Sequence, residues 1–293
     1  MCCGVLVLAE RTGVVCLPVC WLCGILFVRI YTMEKRMGES FPSDELVRTL
    51  VPILPNASAF DWQLVRQGPA NRVFKVSDGH QAWAVKVLGP DTFSAVDYTN
   101  VYGLQKQLSE QGVAPSLCGF DKHARIWVES WIETPEQTHL DTRLLANALW
   151  RVHQCDVNAP TLALVPVWQH YLEQLSSREA RPFVAQRDKL TQLLARYSHY
   201  DDYCFCHNDL SFAHLVGAQR DLIIDWEYAA IGNRYFDLAA CVVINEMDSL
   251  QQQALCEAYA DVSAISLHTV KQQTDIFLPI VQFTNDLWMA ALP

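Results

Sequence analysis

Basic residues are scarce in this chain of 293 residues. Lysine and arginine total 22 against 32 aspartates and glutamates, which gives a formal net charge of -10. Because binding to a phosphate backbone depends on Lys and Arg, this deficit argues against nucleic acid as the main partner. An acidic balance suits a cationic small molecule, and solubility alone also explains it. The hydrophobic share of 51% is ample for one large domain or two lobes.

Paired zinc-ligand motifs are also missing. Cys20 and Cys23 form a Cys-x-x-Cys motif, but no second Cys/His pair follows at the spacing of a zinc site. Five of the 11 cysteines lie within residues 2–23, and the others are scattered in apolar contexts. These scattered cysteines predict reduced core residues of a cytoplasmic protein.

Residues 1–36 differ in composition from the rest and are predicted to be a separate N-terminal extension. Residues 12–28 form an uncharged run, at the lower edge of the length that spans a bilayer. The segment lacks the basic start and small-residue cleavage site of a secretory signal. Two interpretations remain: a membrane anchor, which alone would bring membrane contact, or a misassigned start with initiation at Met33 or Met37.

Hydrophobic periodicity changes from strand-like to helix-like along the chain. Alternation predicts strands at 62–65, 72–76, 81–87 and 126–132. Apolar residues at helical spacing predict a short helix from Asp44 and further helices at 97–110, 141–153, 167–175, 179–197, 247–262 and 268–289. The change predicts a small sheet lobe at 37–133 and a larger helical lobe at 134–293.

The most informative stretch is 205–238. It contains Phe-Cys-His-Asn-Asp-Leu ending at residue 210, then Ile-Ile-Asp-Trp-Glu-Tyr from 223 and Tyr-Phe-Asp-Leu from 235. Apolar pairs flank a polar turn at 217–221, which predicts a hairpin that brings Asp225 beside the loop carrying Asp209. Two such carboxylates suit phosphoryl transfer: one accepts the proton of an attacking hydroxyl, and the other holds Mg²⁺ against nucleotide phosphates.

In order and spacing, these motifs resemble the aminoglycoside phosphotransferase and choline kinase superfamily, which includes thiamine kinase-like proteins. The resemblance extends over about residues 48–290 and implies a bilobal, protein-kinase-like α+β fold. It also implies a kinase that uses ATP and Mg²⁺ to phosphorylate a hydroxyl of a small, cationic metabolite of the thiamine, choline or ethanolamine type. An aminoglycoside is the alternative acceptor, and a nucleotide-binding pseudokinase is the alternative function.

The resemblance assigns roles within the catalytic stretch. Asp209 is expected to be the catalytic base, with His207 beside it in the same motif, and Asp225 is expected to bind Mg²⁺. Asp237 matches a family position that braces the catalytic loop. Glu227 is expected to support the metal shell or to face a cationic substrate.

The resemblance also predicts how the nucleotide is held. Lys86, a lone cation in an apolar strand, is expected to pair the α- and β-phosphates. Gly68 and Asn71 match the family loop that covers the phosphates, although the loop carries one glycine where a protein kinase has three. By position, Glu129 to Trp131 are expected to offer backbone groups to adenine.

The chain departs from the family at two positions. The family helix normally supplies a Glu that pairs with the Lys, but Val101 lies near that place, and Asp97 on the same helical face is expected to substitute. His214 takes the place of an Asn that binds a second Mg²⁺, and imidazole prefers softer metals. Either His214 orients Asp209 and one metal suffices, or catalysis is impaired.

Four aromatic residues have two possible roles. Trp131, Trp168, Tyr171 and Trp288 either belong to the core or wall a pocket for an organic cation.

Overall fold

The computed structural model describes residues 43–55, 59–67, 71–89, 96–136 and 139–292. The predicted extension and its uncharged run therefore lie outside the described residues, and so does Gly68. Among the helices that are described, none has the length and apolar character needed to cross a membrane.

A five-stranded antiparallel sheet occupies the first half of the described chain. Its order is β1-β2-β3-β5-β4, and its strands are β1 (Asp61–Gln67), β2 (Asn71–Ser77), β3 (Ala82–Leu88), β4 (Leu117–Asp121) and β5 (Ile126–Ser130). Helix α1 (Asp44–Leu50) packs its buried leucines on this sheet. The sequence missed β4, whose alternation is interrupted by Gly119; a Cβ there would lie 2.6 Å from the Ile53 side chain.

Helix α2 (Tyr98–Glu110) follows β3 and begins at Asp97. Its buried Leu104 and Leu108 join the core of the helical part of the protein, whereas the sheet and α1 share a smaller core. The main helix beside the sheet is therefore anchored in the larger core.

Helices form most of the remaining chain, as predicted. They are α3 (Thr142–His153), α4 (Leu164–Gln174), α5 (Ser177–Tyr197), α6 (Arg234–Ile244), α7 (Ser249–Ser263) and α8 (Leu267–Ala291). Only α6 was not predicted, because it is buried on nearly all sides and therefore has no polar face to create a helical period. With the antiparallel sheet, this confirms the α+β class.

Four short strands hold the segment that carries the predicted catalytic residues. β6 (Tyr203–Cys206) pairs with β9 (Ala230–Asn233), and β7 (Leu215–Val216) pairs with β8 (Leu222–Ile223). The predicted hairpin is thus confirmed, with Leu215 opposite Ile223. His207 follows β6 directly, and Asp225 lies two residues beyond β8.

Candidate active site

Asp237 on α6 holds the loop after β6 in place through hydrogen bonds. The Asp237 carboxylate accepts hydrogen bonds from the N–H groups of His207, at 2.9 Å, and Asn208, at 2.7 Å. It also lies 3.1 Å from His153 Nε2. Burial alone would raise the pKa of Asp237, but the neighbouring histidines and the donated N–H groups hold it below its ordinary value. The prediction that Asp237 braces the catalytic loop is confirmed.

A second brace comes from Asn245, directly after α6. Its side-chain Nδ2 donates to the carbonyl of Leu210 at 3.0 Å, and its Oδ1 accepts from the N–H of Phe212 at 2.8 Å. Asn245 was not among the residues predicted from the sequence.

Two residues of this site have a left-handed backbone conformation. Asn208 has φ 63° and Asp225 has φ 73°, values that side-chain-bearing residues rarely adopt. Asn and Asp tolerate this left-handed conformation better than most residues, and such strain clusters at functional sites. The side chain of Asn208 donates to the carbonyl of Tyr228 at 3.0 Å, which ties the two segments together.

His207 links the two segments through its ring. Its Nε2 donates to the carbonyl of Ile224 at 3.1 Å, while its Nδ1 accepts from the N–H of Asp209 at 3.3 Å. Burial, aided by the nearby His214, lowers the pKa of His207 to about 4. A neutral ring with both nitrogens hydrogen bonded to the backbone fits a residue that positions the loop better than a group that exchanges protons. The predicted catalytic role of His207 is therefore better described as positioning Asp209.

The burial of His207 predicts how the stability of the protein depends on pH. The pKa of His207 is about 4 when folded against 6.5 in its ordinary state, so protons bind preferentially to the unfolded chain between these values. The stabilising contribution of neutral His207 to the free energy of unfolding is therefore complete above pH 6.5. It is lost as the pH falls toward 4, by about 2 kcal/mol between pH 6.5 and 5. The free energy of unfolding, measured with urea at pH 6.5 and at pH 5, should change less between the two pH values in His207→Gln than in the wild type.

The matched control is His80→Gln in the exposed β2–β3 turn. It should keep the wild-type pH dependence. An equal loss of pH dependence in both variants would contradict the assignment to His207.

His214 lies between the backbone of Asp209 and the carboxylate of Asp225. Its Nδ1 is 2.9 Å from the backbone oxygen of Asp209 and 3.4 Å from the backbone nitrogen of Ser211, and its Nε2 is 3.5 Å from Oδ2 of Asp225. The ring is buried. The contact with the Asp209 oxygen is the shorter of the two and favours a proton on Nδ1; in that tautomer, Nε2 and the Asp225 carboxylate form a mixed nitrogen and oxygen donor set. Such a set fits a divalent cation, and it suits a softer ion than Mg²⁺.

Lys86 is paired with Glu129 across the sheet. The Lys86 Nζ lies 3.0 Å from Oε1 of Glu129. The other oxygen of Glu129 accepts from Gln105 of α2, at 2.7 Å, and from Trp127, at 2.9 Å. Burial alone would lower the pKa of Lys86, but the charges of Glu129 and Asp225, among others, raise it. Lys86 therefore stays protonated and lies within the electrostatic field of Asp225.

The expectation that Asp97 pairs with Lys86 was wrong. Asp97 is the N-cap of α2, where its Oδ1 accepts from the N–H groups of Thr99 and Asn100. Val101 packs against the helical core. The acid that holds Lys86 comes from β5 and is fixed by Gln105, one helical turn after Val101.

The strand register explains this pair. Lys86 lies opposite Trp127 and Ala84 lies opposite Glu129, so Lys86 and Glu129 are diagonal neighbours on one face of the sheet. The sequence signal was a single acid in the apolar run of β5.

The segment predicted to meet adenine is already hydrogen bonded. The N–H of Trp131 donates to the carbonyl of Ala82 at 3.0 Å, and its ring lies 5.1 Å from the Lys75 ammonium. The N–H of Trp131 is thus already engaged within the sheet, whereas the contact of the other backbone groups of Glu129 to Trp131 with adenine stays a prediction. Asn71 accepts from the N–H of Gly89 at 3.1 Å, and its contact with phosphate stays a prediction.

Glu227 is hydrogen bonded to one tyrosine and acts electrostatically on another. Tyr98 of α2 donates to Oε2 of Glu227 at 2.9 Å. Burial and the charge of Glu227 raise the pKa of Tyr171, on α4, to about 12. Trp168, Tyr171 and Trp288 belong to the helical core, which confirms the core alternative for these three residues.

Comparison with known proteins identifies the family. The model of the phosphotransferase enzyme family matches residues 61–268, more than half of the sequence. The chain belongs to the phosphotransferase enzyme family. The family prediction is confirmed, and with it the prediction that the protein is a phosphotransferase.

Similar proteins are known at low identity. The LicA homolog of Mycoplasma capricolum is 22% identical to this phosphotransferase over 182 residues, which cover 60% of this chain and 76% of that protein. Choline kinase LicA from Streptococcus pneumoniae aligns with TM-score 0.68 and 20% identity, over 86% of this chain and 91% of that one. A Plasmodium vivax ethanolamine kinase aligns with TM-score 0.67 and 15% identity, over 86% and 84%. These likenesses confirm the protein-kinase-like fold of the phosphotransferase.

Proposed function

We propose that this phosphotransferase moves the γ-phosphate of ATP to the hydroxyl of a small cationic amino alcohol, choline or ethanolamine. The observation that carries the proposal is the arrangement of Asp209, Asp225 and Lys86 around His214. The His214 ring lies 2.9 Å from the backbone oxygen of Asp209 and 3.5 Å from the Asp225 carboxylate, and Asp225 in turn acts electrostatically on Lys86. Phosphoryl transfer requires a base, a metal-binding carboxylate and a phosphate-binding cation in one place.

Each residue has a separate role in this proposal. Asp209 orients the acceptor hydroxyl and takes its proton, while His207 keeps the loop of Asp209 in place. Lys86 binds the α- and β-phosphates of the nucleotide, for which Gly68 and Asn71 would supply further contacts. A divalent cation at Asp225 would neutralise charge on the phosphates. The nucleotide then lies between a sheet lobe that ends near residue 133 and a helical lobe that begins at residue 134.

Glu227 supports the choice of a cationic acceptor. Its carboxylate lies two residues after Asp225 and accepts from Tyr98, and its charge also reaches Tyr171. A carboxylate beside the Tyr98 phenol attracts an ammonium group through charge and cation–π contact. The structurally similar choline and ethanolamine kinases act on acceptors of this kind.

The proposal is tested by acceptor-dependent ADP release from the full-length chain. ATP is supplied with Mg²⁺ or Mn²⁺, and choline, ethanolamine, thiamine and an aminoglycoside are compared as acceptors. Faster release with choline or ethanolamine is expected. Faster release with thiamine or the aminoglycoside would keep the reaction but replace the acceptor, and ATP binding without turnover on any acceptor would favour a pseudokinase.

The nitrogen donor of His214 predicts an unusual metal preference. Because imidazole binds Mn²⁺ more readily than Mg²⁺, wild-type activity should be higher with Mn²⁺. His214→Asn restores the oxygen donor of the family and should shift the ratio of the two activities at least about tenfold toward Mg²⁺. Titration of Mn²⁺ by its EPR signal provides a readout that does not depend on turnover. An unchanged preference in His214→Asn would show that His214 does not bind the metal.

A further inference from the structure

Two thiols lie side by side immediately before the catalytic loop. Cys204 and Cys206 are two residues apart on β6, so their side chains point to the same face of the strand. Their Sγ atoms are 3.9 Å apart. Cys204 is partly exposed and Cys206 is buried, which makes Cys204 the thiol that a solvent-borne reagent meets first.

The surroundings of the pair favour a thiolate at Cys204. A hydrogen bond from Cys206 is the largest influence, and His153 and Arg234 act in the same direction, whereas burial and Asp237 oppose them. Together they lower the pKa of Cys204 to about 7. Burial raises the pKa of Cys206, which therefore remains the protonated partner.

We propose that Cys204 and Cys206 form an oxidation site, at which a peroxide converts the two thiols into a disulfide. The thiolate of Cys204 attacks the peroxide oxygen and displaces hydroxide, which leaves a sulfenic acid. The sulfur of Cys206 then attacks the sulfur of Cys204, and its proton leaves with the hydroxyl group as water. Overall, two thiols are oxidised and one hydrogen peroxide is reduced to two waters. Exchange with a dithiol reduces the disulfide to the two thiols again and oxidises the dithiol.

Oxidation at this position would act directly on the catalytic loop. Cys206 directly precedes His207 in the chain, and the N–H of His207 donates to the Asp237 carboxylate. Two residues of extended strand span roughly 6.6 Å, at the upper end of the Cα separations that disulfides bridge. The new bond therefore draws the end of β6 together and displaces the loop that carries Asp209. Phosphotransfer is expected to fall after oxidation and to recover after reduction.

A metal ion is the competing occupant of this cluster. His153, Cys204 and Cys206 place ligand atoms within 4.8 Å of one another. Both ring nitrogens of His153 are already engaged, with Tyr259 at 2.6 Å and Asp237 at 3.1 Å. A metal would have to displace one of these partners, whereas oxidation leaves both hydrogen bonds in place. The geometry therefore favours oxidation.

The first test is peptide mass spectrometry of the full-length protein, washed with chelator and treated with hydrogen peroxide. Trypsin releases residues 197–220 as one peptide whose only cysteines are Cys204 and Cys206. We expect a loss of about 2 Da from this peptide, reversed by dithiothreitol. In Cys206→Ser, Cys204 should instead form a dimedone adduct, the signature of a sulfenic acid, and Cys204→Ser should show neither product.

The second test needs no variant. Iodoacetamide at pH 7 should modify Cys204 before Cys118, although Cys118 is the more exposed thiol, because burial raises the pKa of Cys118. Faster labelling of Cys118, or an unchanged peptide mass after peroxide, would overturn the proposal. So would one equivalent of tightly held zinc that is lost in either cysteine variant. These readouts concern the thiols alone, so they are independent of whether the proposed phosphotransfer is correct.

Discussion

Replacement of Asp209 by Asn is expected to lower kcat for phosphotransfer by about 10²- to 10⁴-fold, the usual contribution of a general base. Asn has the shape of Asp but cannot accept the proton of the acceptor hydroxyl. ATP binding should persist, because Lys86 and Asp225 are unchanged. The measurement is acceptor-dependent ADP release at saturating ATP, alongside the Kd for ATP.

Asp201→Asn provides the matched control, since Asp201 is an exposed acid before β6. It should leave kcat unchanged. A fall in kcat of less than tenfold in Asp209→Asn, with the protein fully folded, would remove Asp209 from the role of base.

Replacement of Glu129 by Gln is expected to destabilise the protein and weaken ATP binding together. The change leaves the partly buried Lys86 ammonium without its acid, although Gln keeps the shape of the side chain. Loss of one partner of a fully buried ion pair costs about 3 to 5 kcal/mol, and a cost of about 2 to 3 kcal/mol is expected for this partly buried pair. Urea unfolding at pH 7 measures this cost, and a rise of at least about tenfold in the Kd for ATP is expected because Lys86 is no longer held toward the phosphates.

Asp97→Asn discriminates between the two acids considered for Lys86. Because Asp97 caps α2, and Asn is also a good N-cap, its replacement should cost less than about 1 kcal/mol and leave ATP affinity unchanged. A loss of ATP affinity in Asp97→Asn, with none in Glu129→Gln, would reinstate the helix as the source of the acid.

The origin of this acid has a mechanical consequence. When a lysine and its acid lie on different elements, a movement of the helix separates them. Here both residues lie in the same sheet, on neighbouring strands, and α2 contributes the neutral Gln105. The lysine is therefore positioned by strand pairing, and α2 only fixes the orientation of the carboxylate.

The sequence was sufficient where residues close along the chain act together. The motifs that contain Asp209 and Asp225 predicted their loop and hairpin, because turn residues and short apolar runs determine that local geometry. Asp237 was also predicted, from its place in the family motif. Helices with one polar face were found at nearly their observed positions.

Contacts that depend on packing were not predictable from the sequence. The pairing of Lys86 with Glu129 depends on the register between β3 and β5, which alternation alone does not define. Asn245 braces the catalytic loop across 35 residues of sequence, and nothing in its own neighbourhood marks that contact. Helix α6 escaped detection because full burial removes the periodic signal.

The most direct test of the central claim is ³¹P NMR of a reaction that contains the full-length protein, ATP, a divalent cation and choline. The account predicts a new phosphomonoester signal that grows in equal amount with ADP and is absent in Asp209→Asn. Ethanolamine in place of choline should give the corresponding phosphomonoester. Release of inorganic phosphate in step with ADP, with no phosphomonoester from either amino alcohol, would contradict the proposed transfer.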